Sequence, residues 1–128
     1  MKQTAIKSIL SFVLLLFSLT VNASERKFLE GQVANSTVGI DLFILDGNEA
    51  TGSLYYERNR KRISEDIVIN GSWYYLSNGN IEIILTETTR GGKYCGRWKL
   101  NYNRITKRAT GTVTNSKNKT FRVNLKVY

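Results

Sequence analysis

The sequence contains no histidine and no proline, and Cys95 is its only cysteine. Without histidine the chain lacks the commonest general base and the commonest metal ligand, which excludes Ser-His-Asp and Cys-His catalytic arrangements. One cysteine cannot form an internal disulfide, so the fold must be held by its hydrophobic core. We expect Cys95 to be a small buried hydrophobic residue, and a disulfide-linked dimer is the alternative.

The acidic residues form no familiar catalytic or metal-binding motif. "DGNEA" at 46–50 has oxygen atoms but lacks the spacing of a calcium loop. Glu65 and Asp66 are adjacent and Glu82 and Glu87 are five positions apart, so each pair points to opposite faces of a regular strand. The sequence therefore predicts a protein that is not an enzyme, with no catalytic residues, no cofactor and no metal.

The N-terminus has the features of a secretory signal peptide. Lys2 and Lys7 precede the apolar run "ILSFVLLLFSL", and Ala23 stands where a signal peptidase prefers a small residue. The apolar run is short for a membrane span, although a membrane anchor is the alternative. We predict a cleaved signal peptide at 1–23 and a periplasmic or secreted domain at 24–128, with no membrane span after cleavage.

The predicted mature domain is strongly basic. Without the two lysines of the signal peptide, 17 of the 19 cations remain against 10 carboxylates, a net charge of +7. An excess of that size attracts polyanions such as lipopolysaccharide, cell-wall polymer, nucleic acid or an acidic protein. An anionic envelope polymer is therefore a candidate partner.

Apolar and polar residues alternate over most of the mature sequence, and no segment has a helical period. The clearest example is "TFRVNLKVY" at 120–128, a pattern typical of a half-buried antiparallel strand. Eight strands are predicted, at 27–34, 37–45, 50–57, 62–76, 80–88, 93–102, 107–114 and 119–127.

Short turn motifs separate these strands at 45–49, 58–61, 77–80, 90–93, 102–105 and 115–119. This even spacing indicates an all-β fold, a single antiparallel meander that forms either a closed barrel or a two-layer sandwich. We favour the closed barrel, because eight strands can close around a filled interior and closure removes exposed edges.

Alternation also predicts the residues that face the core and one hairpin register. The inward sets are Val38, Ile40, Leu42 and Ile44; Ile67, Ile69, Gly71, Trp73 and Tyr75; Tyr94, Gly96, Trp98, Leu100 and Tyr102, with Cys95 on the opposite face. A three-residue loop at 77–79 with left-handed Gly79 predicts the pairs Tyr75–Ile81, Trp73–Ile83 and Gly71–Leu85.

The motif Gly-Ser-x-Tyr-Tyr occurs twice, at 52–56 and 71–75. The glycine of each copy is predicted to face inward, where it permits a bend or a close approach of strands. Alternation then places the first tyrosine of each copy, Tyr55 and Tyr74, outside the barrel. We interpret the repeat as part of barrel construction, with two exposed aromatic residues beside it.

Basic residues are concentrated in the turns, and a meander places the turns at 58–61, 90–93 and 115–119 at the same end of the barrel. A basic rim can bind anions, although charged loops can also serve solvation alone. The candidate binding residues are Arg58, Arg60, Lys61, Arg62, Arg90, Lys93, Tyr55 and Tyr74.

Four segments between Gly52 and Leu100 resemble a loose group of small exported bacterial β-barrel proteins of mostly unknown function. They are "GSLYYERNRKRI", "INGSW", "IEIILTE" and "CGRWKL", with the G-x-Y-Y and G-x-W strands of that group. The resemblance implies a β-barrel fold more than an activity. Small periplasmic eight-stranded barrels also include lysozyme inhibitors, but this chain lacks the paired cysteines that many of those carry.

These observations favour an exported, non-enzymatic binding protein. The favoured partner is another protein, bound through charged loops as in a periplasmic inhibitor or immunity protein. One alternative is a binder of envelope polyanions, and another is a carrier that holds a small ligand in the barrel interior.

Export can be tested on the chain expressed in full in a bacterium. We expect signal peptidase to cut between Ala23 and Ser24, because the small residue and the apolar run are correctly placed for that enzyme. The intact mass of the exported protein should correspond to residues 24–128. A chain that keeps residues 1–23 and stays in the membrane would support the anchor instead.

Overall fold

The computed structural model of the protein describes residues 24–64 and 67–128. The predicted signal peptide at 1–23 and the carboxylates Glu65 and Asp66 lie outside these residues. The described part contains no helix of the length and apolarity needed to cross a membrane. Its strands are β1 (Glu25–Val33), β2 (Ser36–Leu45), β3 (Glu49–Arg58), β4 (Lys61–Arg62), β5 (Ile67–Tyr75), β6 (Ile81–Thr89), β7 (Tyr94–Asn103), β8 (Arg108–Asn115) and β9 (Thr120–Val127).

Eight of these strands form a closed antiparallel ring, and β4 is a two-residue addition beside β3. The chain meanders from β1 through β2, β3, β5, β6, β7 and β8 to β9, which returns to pair with β1. The ring closes where Leu29 lies opposite Val127 and Glu30 lies opposite Lys126. The predicted antiparallel meander is confirmed, and it forms a barrel rather than a sandwich.

The prediction of one unbroken strand at 62–76 is wrong. β4 ends at Arg62, which pairs with Glu57, and β5 begins at Ile67, which pairs with Leu54, so the chain advances five positions there while β3 advances three. The hydroxyl of Ser64 accepts a hydrogen bond from the backbone N–H of Tyr56 at 3.0 Å. Extra residues on one strand bend it and increase its twist, and β3 and β4 therefore form a short hairpin separate from β5.

The predicted register of the β5–β6 hairpin is confirmed. Leu76 and Asn80 close the turn through a 2.8 Å backbone hydrogen bond, and Gly79 has the expected left-handed backbone with φ of 89°. The cross-strand pairs are Tyr75–Ile81, Trp73–Ile83 and Gly71–Leu85. Matching of apolar residues across the hairpin was therefore sufficient to choose the loop length.

Side chains fill the middle of the barrel. Trp98 is completely enclosed, and the inward residues of β2 are all buried, as the alternation predicted. Removal of apolar area from water is the main force that holds such a fold, at about 25 cal/mol per Å². The largest enclosed side chains are Trp98, Leu29, Ile40, Leu42, Leu54, Ile69, Ile81, Ile83, Leu85, Leu100, Leu125 and Val38.

Tyr75 was predicted to face the core but is 60% exposed. It is the last residue of β5, so its side chain lies at the end of the barrel instead of within the filled middle. Its ring packs edge-on against Trp73, which is half-buried, with 5.2 Å between the ring centroids. Alternation gave the correct face for Tyr75 but did not show where the barrel ends.

A β-bulge between β6 and β7 overturns two further predictions. Glu87 pairs with Gly96, but the next pair is Thr88 with Tyr94, so Cys95 is an extra residue without a partner in the β6 ladder. Tyr94, predicted to face inward, is consequently 47% exposed. Cys95, predicted to be buried, is half-buried and is a free thiol. The bulge changes the direction of both side chains relative to a regular strand.

The glycines of the repeated motif allow neighbouring strands to approach closely. A Cβ atom on Gly52 would collide with the backbone carbonyl oxygen of Asp41, and a Cβ on Gly71 would collide with that of Ile84. These obstacles are backbone atoms, which cannot move aside as a flexible side chain can. The interpretation of the repeat as barrel construction agrees with this geometry.

We expect Gly71→Ala to lower the free energy of unfolding by about 1–3 kcal/mol or more, because the strands must separate to admit the methyl group. Gly91→Ala is the matched control, since a Cβ there would meet only the Thr89 hydroxyl at 3.9 Å. Urea unfolding of both variants measures the difference. Equal stability of the two variants would contradict a close approach at Gly71.

Candidate functional site

Cations are concentrated at one end of the barrel, which we call the basic end. It comprises the turns at 58–61, 90–93 and 115–119, which the antiparallel order of strands places together as predicted. Eight cations lie in or beside these turns, and they are Arg58, Arg60, Lys61, Arg62, Arg90, Lys93, Lys117 and Lys119.

The 58–61 turn is a tight two-residue hairpin loop. Asn59 and Arg60 both have left-handed backbones, with φ of 53° and 65°, as in the turn type that best joins two twisted strands. Asparagine tolerates this conformation, whereas it is unfavourable for arginine. A strained cation therefore lies at the tip of the β3–β4 hairpin, and such strain is found most often at functional positions.

A groove of about 580 Å³ runs along the outside of the barrel beside this hairpin, and we call it the outer groove. Tyr55, Arg62 and Arg90 line it together. The guanidinium of Arg62 lies 4.5 Å from the centre of the Tyr55 ring, a distance typical of a cation–π contact. Three of the predicted binding residues are thus brought to one surface.

The far wall of the outer groove contains an ion pair and two aromatic rings. Arg26 donates two hydrogen bonds to the carboxylate of Asp41, at 3.0 and 2.8 Å. These bonds hold the pKa of Asp41 below its usual range. The Phe28 and Tyr128 rings line the same groove, with 6.1 Å between their centroids. The groove therefore combines arginine with exposed aromatic area.

The other predicted binding residues lie apart from this groove. Arg58 points toward the barrel opening, where it donates to the hydroxyl of Ser36 at 3.3 Å. Tyr74 lies near the opposite end of the barrel, and its hydroxyl donates to Glu82 at 3.0 Å. The three remaining cations lie in the turns and line neither the groove nor the opening; they are Arg60, Lys61 and Lys93.

A buried polar group inside the barrel was not predicted. Glu87 is only 3% exposed, and its Oε1 atom accepts hydrogen bonds from the Tyr56 hydroxyl at 2.8 Å and the Trp98 indole N–H at 2.6 Å. Burial raises the pKa of Glu87, although the two hydrogen bonds oppose that rise. Burial and the nearby carboxylate also raise the pKa of Tyr56 far above its usual value, so the tyrosine stays protonated.

The sequence did carry a signal for Glu87. Ile81, Ile83 and Leu85 face inward, and the same alternation continues to Glu87 two positions later. Glu82 lies on the outer face of the same strand, which agrees with the prediction that Glu82 and Glu87 point to opposite faces. The alternation within the strand could have identified the buried carboxylate.

Above Glu87 the barrel opens at the basic end into a space of about 290 Å³, which we call the mouth cleft. Its walls come from all eight strands of the ring and from the turn after β1, and the bulge brings Cys95 to its edge. The lining residues are Val33, Ala34, Ser36, Tyr56, Ile67, Glu87, Cys95, Val113, Asn115 and Phe121.

Within the described residues, no three cysteine, aspartate or glutamate side chains form a group that could hold a metal ion. No protein-family model, no curated protein and no solved structure matches the chain. The resemblance to small exported β proteins therefore stays a prediction. The fold defines a closed eight-stranded antiparallel barrel with one short added strand, and the geometry of its basic end is the basis for inferring a function.

The raised pKa of Glu87 predicts a specific dependence of stability on pH. The folded protein binds this proton more tightly than the unfolded chain, so its free energy of unfolding falls as the pH rises from 4.5 through the folded-state pKa. Glu87→Gln keeps an acceptor for Tyr56 and Trp98 but removes the titration. Urea unfolding between about pH 4 and 8 measures the effect. The free energy of unfolding of this variant, relative to that of the wild type, should rise by at most about 1.4 kcal/mol per pH unit.

Glu82→Gln is the control for this measurement, because Glu82 lies on the outer face of the same strand. Its stability difference from the wild type should not follow the Glu87 titration. A pH-independent difference between Glu87→Gln and the wild type would show that Glu87 has the same proton affinity in both states.

Proposed function

We propose that the protein is an exported, non-enzymatic binding protein that contacts an acidic partner protein through its basic end, in the manner of a periplasmic inhibitor or immunity protein. The convergence of Tyr55, Arg62 and Arg90 on the outer groove carries this proposal. Aromatic and arginine side chains are the residue types most enriched at the energetic centres of protein interfaces.

The β3–β4 hairpin has a suitable shape for entering the cleft of a partner. β3 pairs with β5 only as far as Leu54; beyond that residue it pairs with β4 on one side and stays paired with β2 as far as Glu57 on the other. Its tip, with Arg60 in a tight turn, lies just beyond the last β2–β3 pair, Thr37–Glu57. Tight turns order their residues before binding, which lowers the entropy cost of association.

The arginines of the outer groove are held in position before a partner arrives. Arg62 packs over the Tyr55 ring, and both Arg62 and Arg90 have further interactions within the chain. Guanidinium groups fixed in this way can donate two coplanar hydrogen bonds to each carboxylate of a partner. Lysine would offer the charge without that geometry.

Export is part of the same proposal. β1 begins at Glu25, directly after the predicted cleavage point, so removal of residues 1–23 would leave all described strands intact. The fold needs no disulfide, and the lone Cys95 is half-buried. The domain is therefore compatible with a periplasmic or secreted location.

A single substitution separates binding from folding at the hairpin tip. Arg60→Gly removes the steric cost of a left-handed arginine backbone, which is about 1–2 kcal/mol. It also adds an entropy cost of about 0.4–1 kcal/mol, because glycine makes the unfolded chain more flexible. We expect unchanged or greater stability in urea unfolding, together with a loss of affinity for the captured partner of about fivefold or more. Undiminished affinity would exclude the tip as a contact.

Capture of the partner from periplasmic extract should use two variants of equal charge. The loop variant changes Arg58, Arg60, Lys61 and Arg62 to serine, and the wall variant changes the outward-facing Arg97, Lys99, Arg122 and Lys126 to serine. We expect only the loop variant to lose the partner. Equal loss in both variants, with affinity that falls steeply with salt, would instead indicate a polyanion binder.

A further inference from the structure

The mouth cleft has a carboxylate at its base that the proposed protein interface does not use. Both hydrogen bonds to Glu87 reach Oε1, from Tyr56 and Trp98. No fully enclosed polar side-chain atom of the described residues lacks a hydrogen-bond partner. The unbonded Oε2 atom must therefore be open to the cleft that Glu87 lines.

Apolar side chains form about half of the lining of this cleft. Val33, Val113 and Phe121 line the cleft, and the two valines belong to the buried core. Such walls favour a hydrocarbon chain, because contact removes apolar area from water on both sides. A ligand that enters must therefore be apolar along its length and polar where it meets Glu87.

Two cations lie at the lip of the same cleft. Arg58 donates to the hydroxyl of Ser36, which is a lining residue, at 3.3 Å. The ammonium of Lys119 lies 5.4 Å from the centre of the Phe121 ring, which also lines the cleft. Charge thus changes along the cleft, from a carboxylate at the base to cations at the opening.

We propose that the mouth cleft binds a zwitterion with an alkylammonium group at one end and a carboxylate at the other. The ammonium donates to Oε2 of Glu87, the methylene chain packs against Val113 and Phe121, and the carboxylate remains near Arg58 at the lip. A free ω-amino carboxylate and a lysine side chain within an acidic polypeptide share this chemistry. The volume of about 290 Å³ is sufficient for either.

The physical basis of recognition is the exposure of only one oxygen of a buried carboxylate. A carboxylate removed from water is unfavourable unless it is paired and hydrogen-bonded. An ammonium group supplies the missing hydrogen bond and the opposite charge, and burial strengthens both interactions. A ligand with only a carboxylate would be repelled by Glu87. A ligand with only an amine would have no carboxylate to interact with the cations at the lip.

Isothermal titration calorimetry with 6-aminohexanoate, hexylammonium and hexanoate tests the site on the purified mature chain. We expect 6-aminohexanoate to bind most tightly and hexanoate not to bind. Glu87→Gln should lower the affinity for 6-aminohexanoate about 10- to 100-fold, which is the effect of losing one hydrogen bond to a charged group. Glu82→Gln, the control on the outer face of β6, should leave its affinity unchanged.

A variant at the lip keeps the test decisive if Glu87→Gln folds poorly. Arg58→Gln should lower the affinity for 6-aminohexanoate and leave the affinity for hexylammonium unchanged, since only the first ligand has a carboxylate. Absence of binding by 6-aminohexanoate and by an acidic peptide with one lysine would overturn the proposal. Binding of the peptide alone would support the site and identify a polypeptide lysine as its ligand.

Cys95 offers an independent readout because its half-buried thiol lines the cleft. At a concentration that just saturates the wild type, 6-aminohexanoate should slow alkylation of this thiol by iodoacetamide in the wild type and in Glu82→Gln, and much less in Glu87→Gln. Equal protection in all three proteins would place the ligand elsewhere and overturn the assignment. Arg58 belongs both to the loop variant and to the lip of the mouth cleft. Glu87→Gln and Arg60→Gly therefore separate the two proposals, since the first should lose only 6-aminohexanoate binding and the second only partner capture.

Discussion

The first and last strands of the barrel meet where Leu29 lies opposite Val127, and the closed interior depends on that contact. Both side chains are buried, and the backbone N–H of Tyr128 donates to the carbonyl of Phe28 at 2.8 Å beside them. Among the described strands, every other pair of the ring joins strands that follow one another in the meander, so this pairing alone joins the first strand to the last. Because the chain has no internal disulfide, apolar burial and backbone hydrogen bonding must offset the entropic cost of bringing β1 and β9 together.

Closure gives the two ends of the barrel different properties. Even spacing of the hairpins collects the 58–61, 90–93 and 115–119 turns at one end, and eight cations with them. At that same end the filled core stops at Glu87, beneath the opening. A surface that attracts anions therefore surrounds a pocket that attracts a cation. These two surfaces are adjacent because a meander alternates its turns between the ends.

Much of the fold could be predicted because a strand exposes its two faces alternately to core and solvent. The face of Val38 and the register of the 77–79 hairpin follow from pairing apolar residues with apolar residues. The bulge at Cys95 could not be predicted in this way, because an inserted residue shifts the alternation without changing composition. The same is true of the interruption between Arg62 and Ile67, where the hydrophobic pattern looks continuous.

The sequence by itself determined the antiparallel meander, the inward faces of its regular strands and the collection of cations at one end, since these depend on local alternation and on turn positions. Only the tertiary structure decided which cations share a surface, because the twist and the break after β4 set the positions of Arg62 and Arg90 beside Tyr55. It also decided that Glu87 is enclosed with Tyr56 and Trp98. That grouping joins β3 to the consecutive strands β6 and β7, and such proximity across the interior depends on closure of the barrel.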